Sequence, residues 1–172
     1  MVAVVAVVIA AAVPSLAMVR QRATRAACAD RLQRLGMLID ACRADQGGAY
    51  PRARYMPEPF LSGDRDPALA DVLKPYLQAK AWPADHVLHC PGDRGHVFDR
   101  SGISYMYRVG IAGQRLDDFF PVRAWGLTAS EVPVANDFDG GSFDLTDGGR
   151  LDVPFFHDLR NLLFADGHVG QL

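Results

Sequence analysis

The side chains best suited to chemistry lie in an acidic segment late in the chain. Residues 136–152 contain five aspartates and four glycines beside a single arginine. Carboxylates on a flexible backbone are the ligands that Ca²⁺ prefers. We therefore predict a long acidic loop there. Because no EF-hand spacing is present, a solvated loop is the expected outcome and a calcium site is the alternative. The candidate calcium ligands are Asp137, Asp139, Asp144 and Asp147.

Histidines and cysteines supply two weaker hypotheses. The residues superficially similar to zinc ligands are Asp85, His86, His89, Cys90 and His96. Their spacing is not that of a closed zinc site, and no second paired cluster follows. A metal-dependent hydrolase would use His157, His168 and Asp166. No serine or cysteine lies in an elbow-like context, so we expect a non-catalytic protein in which His157 hydrogen-bonds to the backbone of a terminal hairpin.

The composition limits the class of protein. The chain has 172 residues, 49% hydrophobic and 22% charged, with a formal net charge of −2. The length is enough for one folded domain with an appendage. The net charge gives no overall positive potential that would attract nucleic acid. Because residues 1–19 carry no charge at all, a simple soluble enzyme is disfavoured.

The apolar start is long enough to cross a bilayer as a helix. A cleaved secretory signal is one alternative, since Ser15-Leu16-Ala17 fits the small-residue cleavage rule, but no basic region precedes the apolar stretch. A buried core helix is the other alternative. We favour a transmembrane or filament-core helix over 1–19.

The helical pattern continues beyond the apolar start, over residues 20–46. A single stripe at 4-3-4-3 spacing predicts one packed face; it consists of Cys28, Leu32, Leu35, Ile39 and Cys42. The glycines and proline of 45–51 should end this helix. Within it only Pro14 interrupts the pattern, and a membrane helix bends at a proline rather than ending.

Residues 47–172 are predicted to form a β-rich globular domain. A short helix is expected over 69–77, and strands over 87–90, 104–109 and 132–135. At the carboxyl end, Asp166-Gly167 between two apolar runs predicts a hairpin with positive φ at both turn positions.

Three cysteines leave the pairing open. Cys28 and Cys42 would lie about 21 Å apart on one helix and cannot bridge each other. Cys90 could reach one of them if the globular domain packs on the helical stripe. Buried free thiols are the alternative.

Several segments carry a family resemblance. They are the apolar run with Pro14, the arginine-rich stretch before Cys28, Asp45 to Pro51, Cys90-Pro91-Gly92-Asp93, Ser104-Tyr105-Met106-Tyr107, and His157 followed by Asn161 to Val169. In this order they resemble the type IV pilin-like proteins, specifically the type II secretion pseudopilin-like group with a carboxyl-terminal H-x9-DG signature. Residues 52–70 and 110–130 are unmatched.

The resemblance has two departures. Eight residues separate His157 from Asp166, one fewer than in the signature. The basic leader, the cleavage site and the glutamate of the family's start are missing, so we expect a truncated start roughly eight residues inside the mature helix. If the truncation is real, leader processing and methylation are impossible for the chain as written. The arginines of 20–34 would by the positive-inside rule keep their segment in the cytoplasm. A truncation would explain this conflict, because the basic residues that set the orientation would lie upstream of the given sequence.

The resemblance implies an α+β fold, with a short antiparallel sheet packed on the distal half of a long amino-terminal helix. It implies a structural filament subunit in a type II secretion or type IV pilus-like system. The helix would lie in the inner membrane, the carboxyl-terminal domain would face the periplasm or the cell surface, and the partners would be copies of itself and other pseudopilins. It also favours a Cys28–Cys90 disulfide, structural roles for His157, Asp166, Gly167 and His168, and calcium in the acidic loop. A membrane-anchored or secreted binding module with the same fold is the rival interpretation.

Overall fold

A computed structural model describes the backbone of residues 2–171 and the side chains of residues 18–171. Helix α1 spans Val2–Asp45, 44 residues, which corresponds to about 66 Å at 1.5 Å per residue. Its end is the predicted one: Gln46 donates its backbone N–H to the Cys42 carbonyl, and the Gly48 N–H reaches the Arg43 carbonyl at 2.7 Å. The other helices are α2 (Leu69–Ala79), α3 (Asp85–Leu88), α4 (Phe98–Ser101) and α5 (Phe120–Trp125).

The strands form two antiparallel sheets. The larger has the order β1-β2-β5-β6, and β3 and β4 pair as a separate hairpin. The strands are β1 (Tyr105–Tyr107), β2 (Pro133–Asp137), β3 (Gly141–Asp144), β4 (Arg150–Val153), β5 (Asn161–Phe164) and β6 (Val169–Gln171). The chain is thus α+β, with a long amino-terminal helix packed against an antiparallel sheet.

The distal part of α1 holds the core together. All five residues of the predicted stripe are buried, and Leu38, which the stripe omits, is buried with them. Helix α1 contacts β5, β6, α2 and α3. From Met18 along the helix, the first buried side chain is Cys28.

The apolar segment 1–19 falls largely outside the residues whose side chains are described. Among the residues open to this test, no helix combines the length and the apolar character needed to span a bilayer.

Two sequence-based assignments are wrong. Residues 87–90 were expected to form a strand, but Val87 and Leu88 belong to α3, where one helical turn buries both against α1. The acidic segment 136–152 was expected to be a loop, but it contains the β3–β4 hairpin. Phe143 explains the difference, since its ring packs edge-on against Phe138 with centroids 4.5 Å apart, anchoring the hairpin to the core.

The terminal hairpin forms as predicted, with a different turn. Leu163 pairs with Val169, and the Gly167 N–H donates to the Phe164 carbonyl. Of the two predicted turn residues, Asp166 and Gly167, only Gly167 has a positive φ, +87°. The loop is therefore a tight turn followed by one left-handed glycine, rather than two positive-φ positions.

Candidate functional site

Four buried side chains from four separate backbone segments meet beside α1. The ligand atoms of Cys28, Cys90, Asp137 and His157 all lie within 4.8 Å of one another. Cys28 comes from α1, Cys90 from the loop after α3, Asp137 from the end of β2 and His157 from the loop before β5. None is more than 4% exposed, so all four side chains are buried.

The two cysteines form a disulfide. Cys28 and Cys90 have Cα atoms 4.9 Å apart and close a loop of 62 residues in sequence. This is the pairing that the family resemblance favours. The third cysteine, Cys42, is a buried free thiol, and burial raises its pKa, so it stays protonated and unreactive near neutral pH.

Asp137 places its carboxyl group against the disulfide. Its Oδ1 lies 3.3 Å from the Cys28 Sγ, and its Oδ2 accepts the Asn161 backbone N–H at 2.9 Å. Burial raises the pKa of Asp137 to about 7, against a smaller lowering by the Asn161 N–H. The carboxyl group can therefore carry a proton near neutrality and donate it to the sulfur.

His157 faces the other sulfur atom. Its Nε2 lies 3.1 Å from the Cys90 Sγ, and its Nδ1 is buried without a hydrogen-bond partner among the described residues. The predicted bond from His157 to the hairpin backbone is absent from the described contacts, because the ring points towards the disulfide instead. Burial lowers the pKa of His157, which favours the neutral imidazole.

Asp139 fixes the loop that carries His157. Its carboxylate accepts the Phe156 backbone N–H at 2.9 Å and pairs with Arg160 Nε at 2.8 Å. Arg160 also donates to the Asp139 carbonyl at 2.6 Å. Because Asp139 is 1% exposed, this pair holds both ends of the 156–160 loop in a buried setting.

The four predicted calcium ligands do not converge in the described part of the chain. Asp137 and Asp139 are buried and already accept the hydrogen bonds given above. Asp144 pairs with Arg150 at 3.0 Å across the β3–β4 hairpin, and Asp147 accepts the Gly149 N–H in its turn. The hairpin separates the aspartates because Asp144 and Asp147 lie at its turn end, whereas Asp137 and Asp139 precede its first strand.

The candidate zinc ligands of 85–96 are also dispersed, apart from Cys90. His89 stacks on Phe98 with ring centroids 4.4 Å apart, and His86 lies beside Asp85 at 3.9 Å, both exposed. The three residues of the hydrolase hypothesis do not meet in one site among the described contacts. His168 Nδ1 pairs with Asp166 Oδ1 at 2.6 Å on the terminal hairpin. The His157 ring instead contacts the sulfur of Cys90.

The structural role of Asp93, quoted above only as part of the Cys90–Asp93 motif, is not predicted by the sequence. Asp93 is fully buried and accepts the backbone N–H groups of Val97 and Phe98 and the hydroxyl of Ser104 at 2.6 Å. It thereby anchors the loop that presents Cys90. Asp93 lies five residues before α4, whose N-cap position is Val97, so no local capping signal could have identified it.

Among the described residues, a polar cleft and an apolar groove are large enough to note. A polar cleft of about 1260 Å³ lies next to the cluster, lined by His157, Pro91, Gly92, Arg94 and Arg20 among others. An apolar groove of about 450 Å³ lies elsewhere, and its lining includes Tyr55, Phe119, Trp125 and Leu127. Trp125 is 68% exposed, so the groove offers a large aromatic surface to solvent.

Comparison with known protein families, curated proteins and solved structures gave no match to this chain.

Proposed function

We propose that the chain is a structural, pseudopilin-like subunit of a type II secretion or type IV pilus-like envelope filament, without catalysis of its own. The observation that carries the proposal is the division of α1. One continuous helix runs from Val2 to Asp45, and its described side chains are first buried in the globular domain at Cys28. The residues before it in sequence are largely apolar.

A long apolar helical segment must find apolar surroundings. Lipid satisfies this requirement before assembly, and neighbouring copies of the same helix satisfy it in a filament core. The proposal therefore places the helix in the inner membrane, the globular domain in the periplasm or on the filament surface, and the main contacts between copies of this helix and those of other pseudopilins.

The arrangement of polar groups supports a non-catalytic role. The buried cluster is occupied by a disulfide, and the residues of the hydrolase hypothesis lie in two separate contacts. The alternative function, an extracytoplasmic binding module, is favoured by the apolar groove beside Trp125, which a filament subunit does not need.

The native amino terminus in the membrane fraction, measured by mass spectrometry, tests the proposal. We expect the apolar segment to be retained. A terminus at Met18, directly after Ser15-Leu16-Ala17, would identify a secreted soluble domain and overturn the filament proposal.

A second measurement separates the filament from the anchored binding module. Chemical cross-linking of membranes should give ladders of multiple copies, and Val8→Asp should abolish them because a charge in an apolar helix is costly in lipid. Met37→Asp, at a 50% exposed position of the same helix, is the matched control and should leave the ladders intact. A membrane-bound protein that cross-links to no other copy would favour the binding module.

A further inference from the structure

The disulfide leaves Asp137 Oδ1 and the ring nitrogens of His157 without a strong hydrogen-bond partner among the described residues. Neither sulfur of the Cys28–Cys90 bond carries a hydrogen, yet a carboxyl oxygen of Asp137 lies 3.3 Å from one and an imidazole nitrogen of His157 lies 3.1 Å from the other. A disulfide sulfur is a weak acceptor, and buried polar groups are costly without strong partners. Apolar side chains would surround a purely structural disulfide at least as well.

The same four groups are a donor set that zinc prefers. Two thiolates, one imidazole nitrogen and one carboxylate oxygen make a four-ligand site, with metal–ligand bonds of about 2.0–2.3 Å. Ligand atoms in such a tetrahedron lie roughly 3.3–3.8 Å apart. The Cys90 Sγ–His157 Nε2 and Cys28 Sγ–Asp137 Oδ1 separations are already close to this range, and no pair of ligand atoms is more than 4.8 Å apart. The two bonded sulfurs have to move apart to admit the ion.

We propose that Cys28, Cys90, Asp137 and His157 bind one Zn²⁺ ion when the disulfide is reduced. The chain then has two alternative cross-links at the same place, a disulfide under oxidising conditions and a zinc ion under reducing ones. This site takes Cys90 from the candidate zinc residues and Asp137 from the acidic segment, but its four-residue set is neither of those two predicted sites. It does not depend on the proposed filament function.

The surroundings of the ligands suit a metal. The Asn161 backbone N–H holds Asp137 Oδ2, leaving Oδ1 directed at the cluster. The Tyr105 hydroxyl lies 3.6 Å from the Cys28 Sγ, where it can donate to a thiolate. Such outer contacts orient ligands and tune affinity. The polar cleft lined by His157 and Gly92 gives the ion a route from solvent.

The chemistry balances in two steps. A trialkylphosphine cleaves the S–S bond and takes an oxygen from water, so that the phosphine becomes its oxide and the two sulfurs become thiols. Zn²⁺ then displaces both thiol protons, and the proton of the Asp137 carboxyl group where it is protonated, to solvent. His157 binds through its Nε2 lone pair and keeps its proton on Nδ1, while Asp137 binds as the carboxylate.

Cobalt binding by the full chain in detergent tests the site. The phosphine-reduced protein should take up one equivalent of Co²⁺, with thiolate-to-cobalt absorption and the visible bands of a tetrahedral ion, and Zn²⁺ should displace it. The oxidised protein should show neither signal. Absence of thiolate-to-cobalt absorption in the reduced protein would overturn the proposal.

Variants identify the ligands. Asp137→Asn and His157→Ala should each weaken Zn²⁺ binding at least tenfold, whereas Asp166→Asn and His168→Ala, from the exposed His–Asp pair, should leave it unchanged. Cys42→Ser should also be silent. Each variant is first checked for its fold in the oxidised form by circular dichroism.

If a variant does not fold, the wild-type protein still tests the site. Zn²⁺ should raise the unfolding temperature of the reduced wild-type chain and leave that of the oxidised chain unchanged. Equal zinc affinity in the folded Asp137 and His157 variants, or no stabilisation of the reduced wild type, would refute the site.

Discussion

The aspartates show how one residue type takes different roles according to its surroundings. Asp137 is buried against sulfur, Asp139 is buried against Arg160, and Asp144 is exposed and paired with Arg150. Their sequence spacing gives no sign of this difference. The sequence predicts that carboxylates are abundant here, but which of them are buried depends on contacts with residues distant in sequence.

Asp166 is the residue whose titration is easiest to measure. Its pKa is lowered, first by the hydrogen bond from the His168 side chain and then by the His168 backbone N–H. A carboxyl group whose folded pKa lies below its unfolded value stabilises the fold above the unfolded pKa, and that stabilisation is lost as the pH falls through the folded pKa. His168→Ala should raise the pKa of Asp166 towards the ordinary 3.8.

Carboxyl carbon chemical shifts measured against pH in nuclear magnetic resonance check this change. His86→Ala, which removes the neighbour of Asp85, is the control and should leave Asp166 unaffected. An unchanged Asp166 pKa in His168→Ala would show that the side-chain pair does not persist in solution.

Gly92 is required because the backbone passes close to His157. A Cβ at this position would lie 2.6 Å from His157 Cε1 and 2.9 Å from the Phe156 carbonyl oxygen. The second atom belongs to the backbone and cannot rotate away, so we expect Gly92→Ala to lower the free energy of unfolding by about 1–3 kcal/mol.

The matched control is Gly63→Ala, where no atom lies within 4 Å of the added Cβ. That variant should unfold at nearly the wild-type denaturant concentration. Equal denaturant midpoints of unfolding for the two variants would mean that the backbone of 156–158 shifts at little cost. The close contact at Gly92 would then not stabilise the fold.

At the scale of elements, helix α1 was the most predictable part of the molecule. Its stripe and its glycine-rich end both follow from local sequence, and the structure confirms them. The β3–β4 hairpin was not predicted, because its aspartates and glycines dominate the composition while a single ring, Phe143, anchors it. Short elements such as α3 depend on packing against α1 rather than on their own propensity.

A pair of variants on α1 measures the packed face. Leu35 is fully buried, whereas Met37, two residues later, is 50% exposed. Leu35→Ala should lower the free energy of unfolding by about 2–4 kcal/mol through lost apolar contact and a cavity. Met37→Ala should change it by less than about 0.5 kcal/mol.

Denaturant unfolding followed by circular dichroism gives both values. Similar losses for Leu35→Ala and Met37→Ala would contradict the orientation of the helix on the sheet.

At the scale of the whole molecule, the Cys28–Cys90 bond joins the helix to the rest of the fold. The residues alone left its pairing open, and the family resemblance indicated it. The surrounding cluster was not predicted, because its four members are spread over 28–157 and meet only once the sheet has formed on α1. Asp137 and His157 each appeared in the sequence analysis under a different role.

Removing the disulfide should weaken the fold substantially. The bond closes a loop of 62 residues, and the chain-entropy relation for that length corresponds to about 4 kcal/mol. The Cys28→Ala/Cys90→Ala variant, unfolded in denaturant with a metal chelator present, should lose most of that free energy. Cys42→Ala, another buried cysteine on the same helix, is the control, and an equal loss there would exclude a specific effect of the cross-link.

The position of that bond also determines how the molecule responds to a mechanical load. If α1 were pulled from its amino-terminal end against the carboxyl terminus, the tension would pass directly from Cys28 to Cys90. The segment between them, 62 residues in sequence separation, would bear no load and could not be drawn out. At about 3.5 Å per residue, some 200 Å of contour length would stay hidden, so that a subunit under strain would extend far less than its chain length allows.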